Sequence, residues 1–108
     1  NAVEALEPEI SPLLKIPRRG LIVTAAGGRD GVDFTSRFFA PNAGISEDPV
    51  TGSAHCALAH FWSKRLNKTS MAGYQASKRG GHVRVTLENQ RVLLEGQAIT
   101  IMKGALYA

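Results

Sequence analysis

Residues able to do chemistry concentrate in one stretch, Glu47-Asp48-Pro49-Val50-Thr51-Gly52-Ser53-Ala54-His55. Asp48 can accept or deliver a proton, and His55 titrates near neutrality. Thr51, Gly52 and Ser53 stand where an apolar helical pattern begins. Ala54, Ala57, Leu58, Phe61, Trp62 and Leu66 recur there at three- and four-residue steps. Pro49 limits the helix upstream, and Thr51 or Ser53 can cap its first turn. A helix start made of Gly and hydroxyl residues offers outward N–H groups to a carboxylate or phosphate. The stretch thus couples an anion-holding helix start with neighbouring acid/base groups, although the same residues also make an ordinary cap.

The elements that must position this stretch flank it. Residues 21–25 read as a strand apolar on both faces, ended by the Gly27-Gly28-Arg29-Asp30-Gly31 loop. The glycine pair lacks the following lysine-serine or helix of a nucleotide-binding fingerprint and reads as a turn. Residues 33–39 alternate as a second strand, with Phe34, Ser36 and Phe38 on one face and Thr35, Arg37 and Phe39 on the other. Arg37 can bind an anion there or pair with a nearby carboxylate. Beyond the helix, residues 71–77 form an extended piece. Lys78-Arg79-Gly80-Gly81 is a basic glycine turn that can offer N–H groups to an anion or simply reverse the chain. Short strands follow at 82–88, 91–95 and 98–102, joined by tight turns as a hairpin or meander. Residues 1–19, with Pro8, Pro12 and Pro17, keep no period and read as a linker or inter-domain segment. Six strands and one helix, without regular alternation, predict an α+β domain over 20–108 whose strands curl around the helix.

The totals narrow the classes. A chain of 108 residues makes one small domain, and 44% apolar residues suit a folded soluble one. No apolar run is long enough to span a membrane, so no membrane partner is expected. Thirteen Lys and Arg against nine Asp and Glu give +4, but the positives are scattered and not interleaved with aromatics, which argues against nucleic acid. One cysteine excludes an internal disulfide framework and a cysteine-based metal cluster. It fits a reducing, cytoplasmic location. His60 and His82 have no partners at metal-ligand spacing, so neither a metal nor a cofactor is expected. A start at Asn1 suits a processed or partial chain.

Three ordered pieces carry a resemblance. Ser36-Arg37-Phe38-Phe39-Ala40-Pro41, the Glu47–His55 stretch, and Gly73-Tyr74-Gln75-Ala76-Ser77 with Arg79-Gly80-Gly81 closely resemble the second half of phenazine-biosynthesis-like (PhzF-like) isomerases. The likeness runs from about Gly20 to Leu106. It implies a diaminopimelate-epimerase-like half, a strand-rich roll or barrel around one central helix, facing a first domain across the active-site cleft. It also implies that Asp48 stands beside the substrate as a proton relay or binding partner. Gly52 and Ser53, with Thr51, would hold a substrate carboxylate, and Arg79, Gly80 and Gly81 would line the same cleft. His55 belongs to the matched motif as a candidate catalytic residue, with packing or a supporting hydrogen bond as its other role. The family's principal glutamate and a histidine come from the first half and are assigned to no residue here. Cys56 reads as core.

The leading expectation is the C-terminal half of a cofactor-independent isomerase that moves a proton on a small carboxylate, inactive without its N-terminal domain. That domain would be part of the same protein or a separate chain, and a homodimer sharing one cleft is another arrangement. The alternative is a non-catalytic member of the fold that binds a small molecule or another protein. A basic nucleic-acid-binding domain is the weakest reading.

Overall fold

The computed structural model describes residues 2–108. Five strands form one mixed sheet in sequence order: β1 Leu21–Ala26, β2 Phe34–Phe39, β3 Ser70–Gln75, β4 Gly81–Glu88 and β5 Arg91–Glu95. Neighbours are antiparallel except β2 and β3, which run parallel with Phe34 opposite Gly73 and Ser36 opposite Gln75. A parallel pair needs a long crossover, and here it is the 15-residue helix Gly52–Leu66. Two single-turn helices precede the sheet, α1 Ala2–Ala5 and α2 Ile10–Leu13, so the long helix is α3.

Alternation along each strand decides what α3 touches. Phe34, Met71, Val83 and Val85 all point to one side and pack with Leu58, Ala59 and Trp62 into the main core, joined at its margin by Ile22, Leu87 and Val92. Phe38, Ala40 and Ala54 form a smaller cluster beside it. Trp62 buries its rings against Phe34 at 6.2 Å and donates its indole N–H to Thr24 Oγ1 at 3.0 Å. Thr35, Arg37 and Phe39 occupy the opposite face of β2, as the alternation predicts, where α1 lies against β1 and β2. The fold is thus α+β, a strand-rich mixed sheet with a central helix.

Three sequence expectations change. Residues 98–102 are not a strand: the chain from Gly96 to Ala108 has no regular structure, and Ile99 and Ile101 are 88% and 95% exposed. Alternation made them strand-like, but no edge in the described residues pairs with them. The helix also presents a different stripe. His55 and Ala59 are buried, whereas Ala57 is exposed and Phe61 is 43% exposed, stacked edge-on against Trp62. The sheet packs against the His55, Leu58, Ala59 and Trp62 side of α3. Cys56, lying between the two sides, is half-buried rather than core. Residues 1–19 carry the two helical turns, with Val3 buried against the sheet.

Candidate functional site

Three segments converge at the start of α3: the loop from Glu47 to Thr51, the end of β3, and the turn that leads into β4. Pro49 and the bonding of residues 48–51 stop the helix at Gly52. Thr51 sits at the cap position in extended conformation but makes no side-chain cap bond. The expected cap fails because its hydroxyl is engaged elsewhere: Thr51 Oγ1 donates to Asp48 Oδ2 at 2.5 Å. The first turn is left open, with Gly52 and Ser53 exposed. It presents the positive end of a four-turn helix to solvent.

The end of β3 fastens this loop. Gln75, fully buried, accepts from the Thr51 N–H at 2.8 Å and donates to the Asp48 carbonyl at 2.8 Å and to Thr51 Oγ1 at 3.0 Å. Two residues on, Ser77 Oγ donates to the Pro49 carbonyl at 2.8 Å and accepts from the Gly80 N–H at 3.0 Å. Gly80 turns the chain at φ +74°, and a Cβ on Gly81 would stand 2.3 Å from Val50 Cγ2. The basic turn therefore abuts the acidic loop only because Gly81 lacks a side chain. Between them lies an open cleft of about 540 Å³ lined by Glu47, Pro49, Ser77, Lys78 and Arg79. A second, of about 700 Å³, opens on the other side of Arg79 past Gly80 and Gly81 toward Ile99 and Ile101.

Arg37 secures the loop from the other side. Its guanidinium grips Glu47 in bidentate fashion at 2.7 and 3.0 Å, while Nη1 donates to the carbonyls of Val3 and Leu6 at the end of α1. The Glu47 carboxylate pushes the Arg37 pKa up further through that hydrogen bond, against the opposing effect of burial. Arg37 thus takes the carboxylate-pairing role rather than that of an open anion site. The Asp48 N–H donates to the Phe38 carbonyl at 3.0 Å, pinning the loop to β2.

The structure brings Asp48, Thr51, Gly52 and Ser53 together at one helix start. Arg79 lines both clefts and Gly80 and Gly81 line the second, whereas Asp48, Thr51, Gly52 and Ser53 line neither. His55 is placed differently. Its ring is fully buried, Nδ1 lies 2.8 Å from the Thr51 carbonyl, and Nε2 has no partner among the described residues. The carbonyl can only accept, so Nδ1 carries a proton, and burial with no described partner at Nε2 favours the uncharged ring. Burial lowers its pKa, opposed by the bond to Thr51. Phe34 lies 6.0 Å from the ring, and a Cβ on Gly73 would be 3.3 Å from Nε2. In this position His55 props the helix start from inside and reaches no open surface. Ser36 Oγ is a second buried polar atom without a partner on the helix side of the sheet. Gln75 and Ser77 join the site although their residue types point to no chemistry on their own. Their only signal was membership in the matched 73–77 string.

Chemically, the arrangement offers one carboxylate with an oxygen held by a hydroxyl and an exposed helix start beside it, with Lys78 and Arg79 lining a neighbouring cleft. Such groups can orient a small anion and exchange one proton with it. Among the described residues, no three His, Cys, Asp or Glu side chains are grouped as a metal ion would need. No described helix is long and apolar enough to cross a membrane.

Comparison with known proteins agrees with the fold. The family model for phenazine biosynthesis-like protein matches residues 1–104. The chain is 49% identical over 106 residues to an uncharacterized isomerase of Pseudomonas aeruginosa, covering 98% of this chain and 40% of that one. It is 44% identical over 95 residues to a phenazine biosynthesis-like domain-containing protein of Homo sapiens, covering 83% of this chain and 33% of that one. A crystal structure of a PhzF-family protein from Enterococcus faecalis superposes with a TM-score of 0.87 at 44% identity, over 98% of this chain and 40% of that one. A PhzC/PhzF protein from Clostridium difficile gives 0.85 at 39% identity, with the same coverage. The chain spans about two fifths of the length of such relatives. It belongs to the phenazine biosynthesis-like (PhzF) family of isomerase-like proteins.

Proposed function

We propose that this chain supplies the second half of a two-domain, cofactor-independent isomerase that moves a proton on a small carboxylated substrate. The observation that carries this reading is the placement of Asp48, held by Thr51 immediately before the exposed helix start of Gly52 and Ser53. The helix start fixes the substrate carboxylate and Arg79 adds positive charge from the neighbouring cleft, with Gly80 and Gly81 forming its wall. Asp48 takes a proton from the neighbouring carbon or returns it. A second acid/base group on the other side of the substrate comes from the rest of the protein, so this chain alone is inactive. Relatives named as isomerases support the reaction class.

The rest of the protein docks over apolar surface that this chain leaves open: Phe61 on the outer side of α3, and Ile99, Ile101, Met102, Leu106 and Tyr107. The relatives' remaining three fifths is the natural occupant.

The test is solvent proton exchange. The full-length protein is incubated in D₂O with a panel of small ring and amino-acid-like carboxylates, and deuterium on carbon is read by mass spectrometry. The expected result is incorporation by the wild type, a loss of about 10²–10⁴-fold in Asp48→Asn, and none with the 108-residue chain. Full incorporation by Asp48→Asn would contradict the assignment. Carboxylate binding without any incorporation would favour a non-catalytic binding protein.

A further inference from the structure

The side chain that ties Asp48 to Thr51 has no acid/base chemistry of its own. Gln75 reaches the 48–51 turn from an element more than twenty residues away in the chain, and both ends of its amide are spent there. Two backbone groups of unambiguous polarity fix its orientation. Oε1 accepts from the Thr51 N–H at 2.8 Å, so Nε2 is the atom that donates to the Asp48 carbonyl at 2.8 Å. Nε2 is also 3.0 Å from Thr51 Oγ1, and an amide NH₂ only donates, so the hydroxyl accepts in that bond. The single proton of the hydroxyl is then committed to Asp48 Oδ2, 2.5 Å away. No described residue hydrogen-bonds to Oδ1.

We propose that Gln75 is a positioning residue for this site. Through the Thr51 hydroxyl it fixes Oδ2 of Asp48 as a permanent acceptor and leaves Oδ1 as the oxygen that meets the ligand. Through the Thr51 N–H it also fixes the residue that leads into the helix start. Gln75 touches no ligand itself; its effect passes through Thr51 and Asp48. A leucine of similar volume would fill the space and remove all three bonds. This inference rests on reading Asp48 and the helix start as the binding site.

The experiment compares four forms of the full-length protein with wild type: Gln75→Leu, Thr51→Val, the two combined, and Val85→Ala, which trims the core away from the site. Sodium benzoate serves as a simple carboxylate probe, followed by the amide shifts of Gly52 and Ser53. Hydrogen exchange of the Thr51 amide is measured without benzoate. In Gln75→Leu, Thr51 exchange is expected to rise at least tenfold beyond that in Val85→Ala, with benzoate bound at least tenfold more weakly. Val85→Ala lowers Tm but keeps benzoate affinity within twofold. Because the two side chains act in series, the double variant binds no more weakly than the worse single one. Benzoate affinity within twofold of wild type in Gln75→Leu, or losses that multiply in the double variant, would overturn the proposal. Failure of benzoate to shift Gly52 and Ser53 in the wild type counts against the site itself. Thr51 exchange then decides the place of Gln75: faster exchange supports it and unchanged exchange overturns it.

Discussion

The loop from Glu47 to Thr51 and the tail from Gly96 to Ala108 are both irregular chain, yet they are opposites. In the loop, side chains from β2, β3 and the turn before β4 bind the backbone or the carboxylates at almost every residue. In the tail, apolar side chains stand open, with Met102, Leu106 and Tyr107 at least 87% exposed. One region satisfies its polar groups within this chain. The other leaves apolar surface uncovered in the described residues. Irregular backbone is not by itself a sign of freedom; the count of satisfied groups is.

Substitutions sharpen that contrast. Met71→Ala, in the core beneath α3, is expected to cost about 2–5 kcal/mol, as for other large-to-small core changes. Ile101→Ser in the tail should stay within about 0.5 kcal/mol in the isolated chain. Urea denaturation of both variants checks the difference, and equal losses would mean the tail is already packed.

Glycines make the same point at smaller scale. A Cβ on Gly73 would lie 2.6 Å from the Phe34 ring, whereas one on Gly96 meets nothing within 4 Å. Gly73→Ala should therefore destabilise by about 1–3 kcal/mol through overpacking, and Gly96→Ala should be close to neutral. Thermal melts of the two proteins decide it.

The smallest expected effect is one of pH. His55 is buried neutral, so the unfolded chain binds a proton more readily than the folded one between the lowered folded pKa and the ordinary value of 6.5. Stability is full above 6.5 and falls as the pH drops through that value, by at most about 1.4 kcal/mol per pH unit. His55→Asn keeps a donor for the Thr51 carbonyl and cannot titrate, so its stability should change less across that range. Parallel slopes for wild type and variant would show that other groups dominate.

Much of this contrast was legible in the sequence, for reasons that differ by residue. The start of α3 could be read because Pro49 and the Thr51-Gly52-Ser53 step act locally. The second and fourth strands could be read because alternation records which side faces the core, and the first because an apolar run ends in glycines. The failures came where local pattern meets distant contact. Residues 98–102 alternate like a strand, but a strand also needs an edge, and sequence does not say which chain provides it. Three- and four-residue spacing places Phe61 inward, while the sheet sits over His55, Leu58, Ala59 and Trp62. Thr51 was read as a cap because its type suits one, yet Asp48 and Gln75 compete for its hydroxyl. Gln75 gave no chemical signal because an amide becomes specific only through what it touches.

The most direct test of the central claim is amide hydrogen exchange across residues 97–107 in the full-length protein and in the 108-residue chain. Protection of these amides by at least a hundredfold in the full-length protein, and near-unprotected exchange in the chain alone, is the expected result. It would establish that the tail is covered by the other half while the Asp48 loop is built here. Equally fast exchange of the tail in both proteins would contradict that division.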